Sequence, residues 1–323
     1  MVSRIALAAV VLALLVAATL ATATRAFAVA DANEMLTYMP TGLVHNKRTA
    51  PEVKSYLADL SSYDIGQPLL QMPGFKKTGI LKLPRNEKAT LSIWVSQAAA
   101  YNIEHGTGMT VTAVFNGRVK KHGLDLDNPT TRANMVSAIE SVVRMGVSGV
   151  HLDLEPYPVT PGFLSLLEEL DATFARLGFH GRFSVVAPAN TSRWTPSYLH
   201  QVSQMVTQID PLYYDSELTT VADYEAWVES SLAYYTANVS PNARIVPVIP
   251  SYSANPWHLP SVENIETATV ALSDALSAGS RVNGAGIWWW WGFFYDEEGE
   301  GSYNGSADRA AWQSTTIDLP FSS

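Results

Sequence analysis

Short apolar runs recur along this chain, and each is followed by a segment whose apolar residues return every three or four positions. Met35–Met39 precedes a helical pattern over Ala50–Leu60, and Gln67–Met72 forms a second, weaker strand. Leu91–His105 has helical spacing, and Met109–Asn116 is a strand rich in Thr and Val. Asn128-Pro129-Thr130 opens a helix that runs to Met145, with proline at its start, where a missing N–H costs nothing. Val147–Leu154 is the fourth strand, and the helix Pro161–Leu177 is closed by Gly178. Arg182–Pro188 is followed by a short helix from Pro196, and Val206–Asp215 by a helix over Thr220–Asn238. Arg244–Ser251 precedes Ser261–Ala278, and Ala285–Trp291 precedes a last short helix over Ala307–Gln313. Alternation of this kind predicts parallel strands joined by helical crossovers. Eight such pairs in about 290 residues predict a single-domain α/β protein of the (β/α)8 TIM-barrel class. A doubly wound open sheet is the alternative, but no Gly-rich phosphate loop follows the first strand.

The N-terminal stretch has no such pattern. Arg4 is followed by an almost wholly apolar run, Ile5 to Leu20, and then by Ala26-Phe27-Ala28. A basic start, a short apolar run and an A-x-A site predict a signal peptide over residues 1–28, with a mature domain over 29–323 that is secreted and not inserted in a membrane. Cleavage would remove two arginines and take the net charge from −9 to −11. That balance argues against nucleic acid or an anionic membrane as partner, since both need a basic footprint. The absence of cysteine excludes disulfides, thiolate metal sites and a cysteine nucleophile.

The fourth strand carries the chemistry. In Gly149-Val150-His151-Leu152-Asp153-Leu154-Glu155-Pro156, Val150, Leu152 and Leu154 share one face while His151, Asp153 and Glu155 share the other. In a barrel the second face points inward, where an unpaired charge costs several kcal/mol. Glu155 stands at the C-terminal end, where barrel active sites are built. Two carboxylates one residue apart on one face repel, which raises the pKa of one and makes it a proton donor near neutral pH. His151, beneath Asp153, is placed to compensate charge from below. A purely structural polar network is the competing reading of the same three residues.

Ser148-Gly149-Val150-His151-Leu152-Asp153-Leu154-Glu155 resembles the D-G-x-D-x-D-x-E signature on strand four of the family 18 glycoside hydrolases, the chitinases and endo-β-N-acetylglucosaminidases. The resemblance implies that Glu155 is the general acid/base and that Asp153 orients the substrate acetamido group. Ser148 and His151 stand where the family carries acids. Leu212-Tyr213-Tyr214-Asp215 resembles the family's M-x-Y-D, which implies that Tyr214 and Asp215 hold the N-acetyl group. Pro250-Ser251-Tyr252 resembles the strand-seven pattern, and Gly286-Ile287-Trp288-Trp289-Trp290 resembles the final strand, with Trp290 nearest to the family's sugar-floor tryptophan. Tyr38 falls near the strand-one aromatic, and Asn116-Gly117 loosely echoes the strand-three motif.

Composition then fits the same chemistry: nine Trp, fourteen Tyr and ten Phe accompany only 16% charged residues. Sugars present apolar C–H faces, so sugar sites combine aromatic platforms with carboxylate and amide partners. Trp288 and Trp290 are expected to point inward, Trp289 and Trp291 to pack under helices. Tyr252, Tyr38, His151 and Asn190 complete the expected substrate-binding set, and Arg193, Trp194, Trp257 and His258 follow strands on the same face. Asp296-Glu297-Glu298 reads as a solvated loop, and Asn190, Asn238 and Asn304 open N-x-S sequons. There is no G-x-S-x-G, H-E-x-x-H or Walker loop, and neither metal nor cofactor is expected. The reading is a secreted retaining glycosidase acting on β-linked N-acetylglucosamine-type oligo- or polysaccharides, with Glu155, Asp153, Tyr214 and Asp215 as its catalytic set. Two alternatives stay open. One is a glycosidase on a non-acetylated polysaccharide that pairs Glu155 with Asp215; the other is a chitinase-like protein that only binds glycans.

Overall fold

The computed structural model describes residues 34–119, 123–295, 303 and 305–322. The expected signal peptide, the Asp296-Glu297-Glu298 run and the Asn304 sequon lie outside these residues. Nine strands run parallel: β1 Glu34–Met39, β2 Gln67–Gln71, β3 Thr112–Arg118, β4 Gly149–Glu155, β5 Arg182–Pro188, β6 Gln208–Leu212, β7 Arg244–Ile245, β8 Val248–Pro250 and β9 Gly284–Trp288. Both β7 and β8 pair with β6, so they are two halves of the seventh barrel stave, interrupted at Val246-Pro247. β1 pairs with β9 and β5 with β6, which closes the sheet into the expected (β/α)8 barrel. No described helix is long and apolar enough to cross a membrane.

The two-residue period of the strands sorts side chains between two cores. Outward residues such as Val150, Leu152 and Leu154 join one large cluster with the amphipathic helices, including Leu166, Leu167 and Leu170 on Pro161–Leu177. Inward residues form a second, small cluster of Leu36, Tyr38, Leu69, Val114, Val186, Leu212, Val246 and Val248. The barrel is narrow there, and Gly286 makes room: a Cβ on it would stand 2.4 Å from Leu36 Cδ1. At the N-terminal end the buried Glu34 is clamped by Arg182 and, at 2.8 Å, by Arg244. The Glu34 charge is thus compensated at that end, and the opposite, C-terminal end is the one where barrel chemistry is built.

Three elements end differently from the sequence expectation, and each change repositions a candidate residue. β6 stops at Leu212, so Tyr213, Tyr214 and Asp215 leave the ladder and enter the loop above it. β9 stops at Trp288, and a helix over Trp290–Tyr295 begins where the strand was expected to continue to Trp291. β3 extends to Arg118, two residues beyond Asn116, in register with the end of β4.

Candidate active site

The upper end of β4 sets the centre of the site. Along the inward face His151 is fully buried, Asp153 is half-buried and Glu155 is exposed at the mouth, so the three residues form a vertical series. Burial raises the Asp153 carboxyl above the ordinary aspartate range, and His151 beneath it opposes the shift. Glu155 is also raised, first by the protein packed around its carboxyl and then by the charge of Asp153. The Arg118 and Arg193 cations pull it back, while Asp215 adds to the rise. A glutamate whose pKa is raised at a barrel mouth has the character of a proton donor.

His151 does not face substrate, contrary to the sequence expectation. Its Nε2 lies 2.9 Å from the Tyr38 hydroxyl, and its Nδ1 lies 2.7 Å from Ser184 Oγ and 3.2 Å from Asp210 Oδ2. Burial and the charges of Asp210 and Asp153 keep the Tyr38 phenol protonated. The imidazole is thus bracketed by the Tyr38 hydroxyl on one side and by Ser184 and the Asp210 carboxylate on the other. Asp210 is itself fully buried, and Gln208 Nε2 donates to its Oδ1 at 2.7 Å. A buried carboxylate on β6 thus stands beside the imidazole that lies beneath Asp153. Sequence reading missed Asp210, although Gln208-Ile209-Asp210-Pro211-Leu212 shows the same polar alternation that marked β4.

Tyr38 is likewise buried beneath the site and does not reach the mouth; its ring meets Trp288 edge-on at 5.1 Å. Trp288 is the aromatic floor. It lines the same cleft as Asp153 and Glu155, and Tyr214 stacks on it at 5.5 Å with 16° between ring planes. Trp290 is fully buried on the other side of the barrel wall, against Tyr56 and Phe294. The sequence assignment of Trp290 as an inward sugar platform is therefore corrected. Alternation would have carried Trp290 inward, but it holds only while the strand continues, and the helix from Trp290 turns that side chain into the outer core.

Asp215 is exposed beside the mouth in a left-handed backbone conformation, φ 53°, that asparagine and aspartate tolerate better than other residues. Its Oδ1 accepts from the Tyr252 hydroxyl at 2.8 Å and from Asn255 Nδ2 at 3.1 Å. Tyr252 in turn stacks on the buried His258 at 4.0 Å, and Glu263 Oε2 lies 3.1 Å from His258 Nδ1. The other Glu263 oxygen accepts from the amide of Ser216 at 3.1 Å and from its hydroxyl. The loops after β6 and β8 are thus tied together behind Asp215, which fixes its carboxylate. The structure brings Tyr252 to the site as a support for Asp215.

Two lobes flank Glu155. One, of about 500 Å³, is lined by Gln71, Phe75, Lys77, Asn116, Arg118 and Trp288 among others. The second, of about 400 Å³, is lined by Tyr157, Asn190, Arg193, Tyr214, Asp215 and Trp227 among others. Asn190 is exposed in the second lobe, where its Oδ1 accepts from the Ser192 amide and hydroxyl. Arg193 stacks over Tyr157 at 5.8 Å. Tyr157, Gln71, Lys77 and Arg118 were not singled out from sequence, because nothing local distinguishes a mouth-lining loop residue from a solvated one. Trp194 and His258 are buried, whereas Trp257 is exposed. Among the described residues no group of three or more His, Asp or Glu side chains is arranged to hold a metal ion.

No family model and no curated protein matches the sequence. Solved structures do match. The spore cortex-lytic enzyme SleL of Bacillus megaterium superposes with a TM-score of 0.60 at 13% identity, over 90% of this chain and 74% of that one. The catalytic domain of a family 18 chitinase from the fern Peteris ryukyuensis gives 0.59 at 13% identity, over 87% and 99%. A xylanase and α-amylase inhibitor protein from Scadoxus multiflorus gives 0.57 at 11% identity, over 87% and 97%. Enzymes and an inhibitor thus share one architecture with this chain, and the chain has the family 18 chitinase-like fold.

Proposed function

We propose that the protein is a secreted retaining glycoside hydrolase that cleaves β-linked N-acetylglucosamine-type glycans, with Glu155 as proton donor. The observation that carries the reading is the vertical series on β4: Glu155 at the open mouth with its carboxyl pKa raised, directly above Asp153 and beside the Trp288–Tyr214 stack. In this reading a sugar rests on Trp288 and Glu155 protonates the glycosidic oxygen. The substrate acetamido oxygen, oriented by Asp153, Tyr214 and Asp215, attacks the anomeric carbon as the leaving group departs. Glu155, now a carboxylate, then takes a proton from the water that opens the ring formed by the acetamido group. No enzyme nucleophile is required, and Asp215 at the mouth is left to orient the acetamido group.

A second reading, binding without turnover, is favoured by one observation: the family acids at Ser148 and His151 are absent, and an inhibitor protein shares the fold. Incubation with chitin, peptidoglycan and N-glycan substrates, followed by mass spectrometry of products, separates the two. The hydrolase reading expects reducing-end fragments from wild type and a loss of about 10³-fold or more in Glu155→Gln. Equal rates for wild type and variant would sink it, and binding without any fragments would establish the second reading.

A further inference from the structure

Several described cations are held by acids. Arg132 pairs with Glu169, Arg144 and Arg176 share Glu140, Arg182 and Arg244 clamp Glu34, and Lys54 meets Glu104. Two cations in the larger lobe are not held in this way. Arg118 and Lys77 line the cleft with Asp153 and Glu155, and neither side chain has a hydrogen-bonding or ion-pair partner among the described residues.

Arg118 is moreover in an awkward place for the chemistry. It is the register partner of Glu155 on the neighbouring strand, and directly paired residues of parallel strands project to the same face. Its cation favours the carboxylate of Glu155, whereas a proton donor must arrive as the acid. A group that binds Arg118 and carries a negative charge removes that conflict as it binds. The rest of the lobe suits a sugar: the Phe75 ring and Trp288 offer apolar faces, and the Gln71 and Asn116 amides offer hydrogen bonds. Gly74 lets the Asn116 amide lie close to the backbone at the lobe's wall, where a Cβ would stand 2.7 Å from its Oδ1.

We propose that this lobe is a subsite for a carboxylate-bearing sugar, so that the substrate is an acidic N-acetylated glycan whose carboxylate is held by Arg118 and Lys77. The inference rests on the hydrolase reading of Glu155 and adds the substrate class to it. Arg118 offers a planar, two-pronged donor that matches a carboxylate, and Lys77 adds a second charge. The carboxylate has two plausible chemical sources: a lactyl ether on an N-acetylhexosamine or a uronic acid alternating with N-acetylglucosamine.

The test measures binding in the Glu155→Gln protein, where turnover does not interfere. Titration calorimetry compares four tetrasaccharides: neutral chitotetraose, an alternating N-acetylglucosamine–N-acetylmuramic acid chain with free carboxylates, the same chain with its carboxylates methylamidated, and an alternating N-acetylglucosamine–glucuronic acid chain. At least one free-carboxylate chain is expected to bind about tenfold tighter than its neutral counterpart at low salt, the gap narrowing as salt rises. The preferred chain identifies the carboxylate source. Adding Arg118→Gln is expected to bring the ratio to within about twofold, and Lys77→Gln to an intermediate value. Both residues are exposed, so both variants should fold, and a melting curve checks this. Equal Kd values for free and amidated chains, with no preference for the glucuronic acid chain, would overturn the inference, as would a ratio that Arg118→Gln leaves unchanged. Failure of the hydrolase reading shows separately, as no cleavage of any chain by the wild type.

Discussion

Removal of the Asp210 carboxylate is the sharpest test of how the imidazole beneath Asp153 is held. Asp210 is fully buried, accepts from Gln208 at 2.7 Å and lies 3.2 Å from His151 Nδ1. Asp210→Ala leaves Gln208 Nε2 without its acceptor and His151 with Ser184 alone on that side. Breaking a buried pair by deleting one partner costs about 3–5 kcal/mol. For a domain of this size each kcal/mol moves Tm by about 2 °C, so a fall of about 6–10 °C is expected. Asp210→Asn retains a carbonyl acceptor for Gln208 and loses only the charge, for about 1–2 kcal/mol and about 2–4 °C. Thermal denaturation followed by circular dichroism at pH 7 measures both. A cycle with His151→Ala then isolates the pair, with a coupling of about 0.5–3 kcal/mol expected for groups in contact. If Asp210→Ala melts within about 1 °C of wild type, or the two substitutions simply add, the imidazole is not held by a strand-six acid.

Four further outcomes follow from the same geometry. Burial holds the Asp153 carboxyl above its ordinary range, so the stability it contributes is full below the unfolded pKa and is lost as pH rises through the folded one; Asp153→Asn should therefore melt a few °C higher than wild type at pH 7, with the gap closing by about pH 3. Because Arg118 holds the Glu155 carboxyl down, Arg118→Gln should move the alkaline limb of the kcat/KM–pH profile to higher pH, and an unmoved limb would show that the two groups do not interact. Trp288→Ala should weaken oligosaccharide binding measured by calorimetry, whereas Trp290→Ala should cost about 3–5 kcal/mol of stability in denaturant titration, and a reversal of the two effects would contradict their placement. N-terminal sequencing of protein recovered from culture medium should begin at Val29, and a start at Met1 would refute cleavage after Ala28.

The sequence carried the barrel and the face of β4 because both are encoded in local periods. A strand shows its two faces through a two-residue alternation, and His151, Asp153 and Glu155 declare theirs without any knowledge of neighbours. The limits of the reading lie where that period stops. Trp290 follows Trp288 by two positions, so alternation put both inside; only the start of a helix after β9 separates a cleft floor from a residue in the outer core. Tyr214 and Asp215 were legible as a pair, but their exit from β6 into a loop braced by Tyr252, Asn255, His258 and Glu263 was not.

What sequence alone determined is which side chains each strand sends inward and which end of β4 carries the acid, since both follow from residue spacing along one segment. Tertiary structure decided who meets whom. His151 meets Tyr38 across 113 positions and Ser184 across 33, and Asp210 stands beside the ring because β4, β5 and β6 are neighbours in a closed sheet. Arg118 comes to face Glu155 only through the parallel register of β3 and β4. Such contacts are set by closure and stagger of the whole barrel, quantities that no single strand encodes.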